Sequence, residues 1–426
     1  MKRYEHYSLV SNLLTNEIPS HWEMKRNRVF LRPKFVSVGQ DASKYSLLSL
    51  TTNGIILRDV ESGKGKFPKD FDTYQVVEPN DIVFCLFDVD ETPRTVGLSS
   101  LNGMLTGAYD AFFVADTVNP RFINYYYTAV DDIKALRPYY TGLRKVVKKD
   151  KFMAISIPIP PIEEQEKIVA YLDKKITLIE SCKCQREREL QTLNELKQAE
   201  IASIVTRGLN PNVPMKDSGI SWIGMIPAHW ETKRLASHFH NRIESNSDFE
   251  YKHAFKFNYG TIVPKEETGN PEEYHDVYVK YSKVKKNDIM INGLNLNYDF
   301  VSQRVAIVPE NGIITSAYVV LRPFETTYAP YYCYLFKAMD SMKLFHAMGT
   351  GIRLTLSFDE LKKQIIPIPP VEEQKAIVDY IEKRSNRIDL LIDNLKKEID
   401  NLQEYKLRLI SDVVTGQVDV RDEEIA

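Results

Sequence analysis

The chain carries the same pattern twice. Ile18-Pro19-Ser20-His21-Trp22-Glu23 returns 208 positions later as Ile226-Pro227-Ala228-His229-Trp230-Glu231. Ile157-Pro158-Ile159-Pro160-Pro161-Ile162-Glu163-Glu164-Gln165 returns 209 positions later as Ile366-Pro367-Ile368-Pro369-Pro370-Val371-Glu372-Glu373-Gln374. Between these borders the copies agree faintly but in register. Thr106-Gly107-Ala108-Tyr109 faces Thr315-Ser316-Ala317-Tyr318, and Thr141-Gly142-Leu143-Arg144 faces Thr350-Gly351-Ile352-Arg353. A repeat of this length predicts two similar folding units, and 426 residues exceed what one ordinary core organises. Preserved borders around diverged interiors point to a structural frame holding two differently tuned inserts.

Each closing element leads into a long helix. Prolines cannot sit inside a helix but suit an extended entry to one. Glu163-Glu164 and Glu372-Glu373 then set negative charge at the positive end of the macrodipole. Alternating steps of three and four along the second helix pick out Val378, Ile381, Ser385, Ile388, Ile392, Leu395, Ile399, Leu402, Lys406, Leu409 and Val413. The same reading of the first gives Val169, Leu172, Ile176, Ile179, Lys183, Arg186, Leu190, Leu193, Lys197, Glu200 and Ile204. An apolar seam of period 3.5 predicts a coiled coil, with each helix roughly 40 residues and roughly 60 Å long. An isolated helix with such a seam would be poorly soluble, so the two are expected to pair with each other within the chain.

The inserts read as mixed α/β (α+β). Runs such as Asp81-Ile82-Val83-Phe84-Cys85-Leu86-Phe87 and Asp288-Ile289-Met290-Ile291 alternate with Gly/Asn/Pro turns. Tyr125-Tyr126-Tyr127 and Tyr331-Tyr332 are expected to precede short helices and to pack in the core. The boundaries that follow are 1–157 for the first globular domain, 158–210 for its Pro-rich element and helix, 211–366 for the second domain, and 367–426 for the second Pro-rich element and helix. The expected architecture is two globular domains separated by two long antiparallel helices, with an internal pseudo-two-fold repeat.

A net charge of −2 argues mildly against nucleic acid when taken whole. In pieces it does not: residues 23–157 carry 19 Lys+Arg against 16 Asp+Glu, residues 231–365 carry 17 against 16, and the acid gathers in 372–426, with 9 against 14. Four cysteines exclude a disulfide framework, and Cys182 and Cys184, two apart on a helix, point to nearly opposite faces and cannot chelate one metal. No apolar run of signal or membrane-span length occurs, which reads as cytoplasmic, with no membrane partner.

No catalytic motif is visible in the sequence. An amino-methyltransferase needs Asn/Asp-Pro-Pro-aromatic, but the double prolines follow Ile159 and Ile368, and Asn270-Pro271 is followed by Glu272. Gly349-Thr350-Gly351 lacks the P-loop's Gly-Lys-Ser/Thr, and no G-x-G loop follows a convincing strand. Glu272 and Lys280 read as surface charge rather than as part of a nuclease. The eight histidines show no ligand spacing, and His21 and His229, each beside a Trp, read as structural.

Two variable blocks, each introduced by I-P-x-H-W-E and closed by P-x-P-P-x-E-x-Q before a heptad helix, resemble the specificity subunit of type I restriction–modification enzymes. The resemblance spans nearly the whole chain; its most specific part is the closing element at Pro158–Gln165 and Pro367–Gln374. It implies that each block is a target-recognition domain reading one half of a bipartite, asymmetric double-stranded DNA sequence. It implies also that the helices form an antiparallel coiled coil that spaces the domains and docks two modification subunits. Those would hold S-adenosylmethionine and methylate adenine, while two restriction/translocase subunits move and cut DNA. This chain would have no catalytic residue, cofactor or metal of its own.

On that reading Arg144, Lys145, Lys148 and Lys149, the densest basic cluster, and Arg353, Lys362 and Lys363 in the second half suit phosphate contacts. Lys280, Lys283, Lys285 and Lys286 are a further basic candidate. Base reading needs Arg, Asn, Gln or small polar groups on loops that enter a groove. The loop 88–106 offers Arg94, the loop 292–304 offers Asn295, Asn297, Gln303 and Arg304, and Asn53 and Arg58 are further possibilities. Two rivals remain open: a stand-alone DNA methyltransferase or endonuclease with duplicated target domains, and a coiled-coil scaffold that never meets DNA.

Overall fold

The computed structural model describes residues 2–58, 71, 73–241, 244–266, 269–298 and 303–423. The chain forms two compact units, Met1–Glu187 with Lys397–Ala426, and Arg188–Lys396. Both mix helix and strand, as expected. Each long helix, Ile162–Arg207 and Val371–Val414, contributes to both units, so compactness divides the chain within the helices and not at the Pro-rich elements.

The two units repeat one topology. The first holds a four-stranded antiparallel sheet in the order Leu31–Lys34, Asp110–Val114, Ile82–Phe84, Val96–Leu98; the second, Phe239–Asn241, Val319–Pro323, Ile289–Ile291, Val305–Ile307. A hairpin comes after the first of these strands in each, Leu48–Thr51 with Gly54–Leu57 and Phe255–Asn258 with Thr261–Pro264. The helix after the sheet is Pro120–Asp132 in the first unit and Ala329–Ser341 in the second. The tyrosine runs lie inside these helices and do not precede them. Tyr126, Tyr127, Tyr331 and Tyr332 are fully buried, because ring area is what fills the gap between helix and sheet.

Matching topology with faint sequence agreement has a physical explanation at the turn before the central strand. Asn80 and Asn287 both take φ 72, a conformation that Asn tolerates better than most residues. The next residue, Asp81 or Asp288, accepts the N–H of the residue three earlier at 2.8 Å. The buried carboxylate is then neutralised differently, by Lys34 at 2.6 Å in one unit and by Arg322 at 2.8 and 2.9 Å in the other. Geometry is held while partners change.

The long helices pair antiparallel inside each unit. In the first, Glu180 meets Lys406 at 2.6 Å, Lys183 meets Gln403 at 3.2 Å and Arg186 meets Glu398 at 3.0 Å. In the second, Lys197 meets Asp389 at 2.6 Å and Glu200 meets Arg384 at 3.1 Å. As one residue number rises its partner's falls. Val169, Leu172 and Ile179, and likewise Val378, Ile381, Ile388 and Ile392, are buried; Ile176, Leu190, Leu193, Leu395, Ile399 and Leu402 are half-buried. Polar seam positions Lys183, Arg186, Lys197 and Glu200 are therefore cross-helix bonds.

The second helix does not end the fold. After Val414 the chain turns at Gly416 (φ +70) and sends Val418 and Val420 into the first unit's core, where the N–H of Asp419 donates to the carbonyl of Lys2 at 2.9 Å. A Cβ on Gly416 would lie 2.4 Å from the Pro19 ring. Gly416→Ala should therefore cost about 2 kcal/mol or more, combining a left-handed backbone with a clash against a rigid ring. Urea unfolding of wild type and variant measures it, and equal midpoints would refute the close approach.

Candidate nucleic-acid interface

Each globular insert is closed by the same lock. Glu23–Arg26 pairs with Ser156–Ile159, and Glu231–Arg234 with Ile365–Ile368, in identical register. The N–H of Asn27 bonds the carbonyl of Ile155, and that of Leu235 the carbonyl of Gln364, both at 2.8 Å. The second glutamate of each E-E-Q then holds the histidine and tryptophan of the opening motif. Glu164 accepts from Trp22 Nε1 at 3.0 Å and Tyr4 Oη at 2.6 Å, and meets His21 Nε2 at 2.7 Å. Glu373 accepts from Trp230 Nε1 at 3.0 Å and meets His229 Nε2 at 2.8 Å. The glutamines turn back on the prolines: Gln165 Nε2 donates to the Pro160 carbonyl and Gln374 Nε2 to that of Pro369, each at 2.8 Å. His21 and His229 are thus structural, and the motifs recur because they make one joint.

Two proposed base readers are corrected. Arg94 is tied to Asp131 and Asp132 at 3.2 and 2.8 Å with little exposure, and Arg304 is 1% exposed, donating to the carbonyls of Asn292 and Leu294 at 3.0 and 2.8 Å. Neither reaches a groove. Both sit beside a residue that sequence reasoning missed. Asp131 and Asp340, 209 apart at the end of equivalent helices, accept the backbone N–H of Thr95 at 3.0 Å and of Arg304 at 2.7 Å, fixing the start of the edge strand. Their shared offset was the available signal.

Of the other base-reading candidates, Asn53, Asn295 and Gln303 are exposed, and Arg58 and Asn297 are half-buried. Asn53 sits at the tip of the first unit's hairpin, and Arg58 follows it, its N–H bonded to the Leu47 carbonyl at 2.9 Å. Loop 88–106 is shorter than expected, because it contains the strands Val96–Leu98 and Gly103–Thr106. In the second unit Asn295 (φ 51) and Gln303 are exposed, and Asn297 Nδ2 donates to the carbonyl of Ile352 at 3.3 Å. Residues 299–302 of that loop lie outside the described residues.

The basic clusters are less free than their sequence suggests. Arg144 pairs with Asp88 at 2.6 Å, Lys145 with Asp90 at 3.1 Å and Glu91 at 3.2 Å, and Lys149 with Asp110 at 2.9 Å. Arg144 holds the Asp88 carboxyl below its usual value, and Lys145 then Arg137 do so for Asp90. Lys148, Arg353 and Lys363 are exposed, and Lys362 pairs with Asp359 within its own turn. Lys283 is withdrawn from the candidates: it is 5% exposed and bonded to Asp248 and Glu250, both at 2.6 Å.

Each unit also has a groove between its sheet-covering helix and the long helices, about 940 Å³ in the first and about 670 Å³ in the second. The lysine–carboxylate pairs Lys406–Glu180 and Lys197–Asp389 lie on equivalent walls. Among the described residues no group of three His, Cys, Asp or Glu could hold a metal ion, and no helix is long and apolar enough to cross a membrane.

Comparison with known proteins agrees with this arrangement. The chain is 26% identical over 307 residues to the type I restriction enzyme MjaVIII specificity subunit of Methanocaldococcus jannaschii, covering 66% of each. It is 25% identical over 264 residues to the EcoBI specificity subunit of Escherichia coli, covering 58% of this chain and 54% of that one. The matched region thus spans less than two thirds of either relative's length. In fold the chain resembles the HsdS subunit from Thermoanaerobacter tengcongensis (TM-score 0.50, 16% identity, 94% and 98% of the two chains covered). It also resembles a chain solved in work on complex assembly and conformational transition of the type I R-M system (TM-score 0.67, 15% identity, 94% and 99% covered). A family model described as the type I restriction modification DNA specificity domain matches residues 111–192 and 227–401, together more than half of the chain, which therefore belongs to the type I restriction–modification specificity family.

Proposed function

We propose that this chain is the DNA-recognition subunit of a type I restriction–modification assembly and carries out no chemistry itself. In this reading the first insert binds one half of a bipartite, asymmetric site and the second insert the other. The paired helices space the inserts and dock two modification subunits, which bring S-adenosylmethionine and methylate adenine. Two restriction subunits complete the assembly.

The observation that carries the reading is a repeated lock and sheet order around unlike exposed loops. Equivalent scaffolds suit identical partners, as two-fold related surfaces do; unlike loops suit unlike DNA. Exposed leucines on the helices, Leu178 in the first unit and Leu196, Leu390 and Leu391 in the second, offer apolar area of the kind that protein partners cover.

Methylation mapping in cells carrying the complete system tests it. Two different short sequences at one fixed separation, each methylated at adenine, are expected. A single contiguous site, or methyl transfer by the purified chain alone, would overturn the reading.

A further inference from the structure

Each unit raises a hairpin that packs on its core, through Tyr140 and Val147 in the first and Leu354 in the second, yet carries one aliphatic side chain away from it. In the first, Tyr140–Thr141 pairs with Val146–Val147 and the tip is Gly142-Leu143-Arg144-Lys145. In the second, Thr350 bridges Thr355 and the tip is Gly351-Ile352-Arg353-Leu354. Leu143 and Ile352 have relative exposures of 103% and 96%, so their side chains stand wholly in solvent. One exposed aliphatic residue needs no explanation. Two at equivalent positions, in inserts that otherwise share little sequence, do.

The tips are held rather than loose. The glycines take φ +71 and +76 with open space around them, and the residue after each arginine is also left-handed, Lys145 at φ 45 and Leu354 at φ 41. The Arg144 carbonyl accepts the N–H of Asp88 at 2.8 Å, and the Leu354 carbonyl that of Leu296 at 3.1 Å. Thr141 Oγ1 donates to the Val146 carbonyl at 2.9 Å. Each tip is thereby fastened to the first part of its unit's proposed base-reading loop. An arginine follows the aliphatic residue both times; Arg353 is exposed, and Arg144 lies 5.2 Å from the Phe87 ring centroid while paired with Asp88.

We propose that Leu143 and Ile352 are wedges that enter the DNA stack, one in each half-site, with Arg144 and Arg353 on the flanking phosphates. The proposal rests on the DNA-recognition reading above. Aliphatic wedges beside arginine partly unstack a base step and kink the duplex, and pyrimidine–purine steps yield most easily. Because both inserts carry the same tip, it supplies distortion common to both half-sites, while the diverged loops supply the difference between them. A permanently charged side chain next to each apolar one fits a polyanion better than an apolar pocket on a protein.

The test uses the assembly of this chain with its modification subunits. Bound duplexes are first selected from a random library, and 2-aminopurine is then placed at each step of the selected sequence. Wild type should brighten the probe at one step in each half. Leu143→Ser should abolish the signal in one half and Ile352→Ser in the other, each weakening binding about tenfold, the scale of one aliphatic side chain returned to water. Leu143→Met should keep both signal and affinity, and unchanged thermal melting of the serine variants would exclude misfolding. If wild type selects a sequence but no step brightens and both serine variants bind within about twofold, the wedge is wrong while recognition stands. If the serine variants lose the modification subunits on co-purification but retain binding to the selected duplex, the tips are protein contacts and the proposal fails. If wild type selects no sequence, the recognition reading falls and takes the wedge with it.

Discussion

Glu164→Ala should unfold the first unit at much lower denaturant than wild type, with a loss of about 3–5 kcal/mol. The side chain is 7% exposed and accepts from three groups, of which Tyr4 and Trp22 are each 5% exposed. Removing the acceptor leaves those donors buried without a partner, at about 1–3 kcal/mol for each, not fully additive. Burial first and Glu164 second push the Tyr4 hydroxyl well above its usual pKa, so it remains a donor throughout neutral and mildly alkaline pH. Glu373→Ala in the second unit should cost less, about 1–2 kcal/mol, because Glu373 is 26% exposed and water can replace it at His229. Glu164→Gln keeps an acceptor and should fall between wild type and alanine. Amide exchange, read separately on each unit, distinguishes the two losses. Equal losses in both units, or none in the first, would show that the carboxylate is not what holds the joint.

The joint was half visible in the sequence. Repetition of I-P-x-H-W-E and P-I-P-P-x-E-E-Q marked both elements as structural, and the prolines correctly gave an extended entry to a helix. Their pairing was not visible, because the two motifs lie more than a hundred residues apart and strand partnership is set by the fold between them. For the same reason the glutamates read as helix-dipole charges, whereas the second of each pair accepts from the opening motif's tryptophan, Glu164 buried and Glu373 half-buried. The seam was legible throughout: period alone located it, and its charged exceptions became cross-helix bonds.

The loops were legible only as loops. Arg94 and Arg304 look like base readers because arginine in a polar stretch is usually exposed; burial against Asp131, or over the carbonyls of Asn292 and Leu294, depends on which helix packs behind them. Arg144 and Lys145 look like a free basic patch because Asp88, Asp90 and Glu91 are more than fifty residues away along the chain. The tail after Val414 carried a signal that went unused. Val413-Val414-Thr415-Gly416 echoes Val205-Thr206-Arg207-Gly208, and each glycine would bring a Cβ to 3.2 or 3.3 Å from a tryptophan, Trp22 for Gly416 and Trp230 for Gly208.

Replacing residues 235–364 with residues 27–155 should convert the recognised DNA from asymmetric to symmetric, with the first half-site's sequence in both halves. The cut points follow from the structure, since each insert is closed by one backbone bond, Asn27 to Ile155 or Leu235 to Gln364, next to strand pairs of identical register. The transplanted helix would bring Arg121 and Tyr125, which meet Asp173 at 2.7 and 2.6 Å in the first unit, opposite Glu382, the equivalent acid. It would bring Phe122 where Tyr331 now bonds the Val205 carbonyl at 2.7 Å, a loss of about 1–3 kcal/mol because that buried carbonyl, in the last turn of a helix, has no intrahelical partner. The chimera should therefore fold. Its discrimination for the original second half-site should fall by at least about 10³-fold, since each mismatched base pair costs about 1–3 kcal/mol roughly additively. Methylation mapping of cells carrying the chimera with its modification subunits gives the answer directly. Retention of the original second half-site by a folded, methylating chimera would place sequence reading outside the inserts and overturn the division of labour between frame and insert.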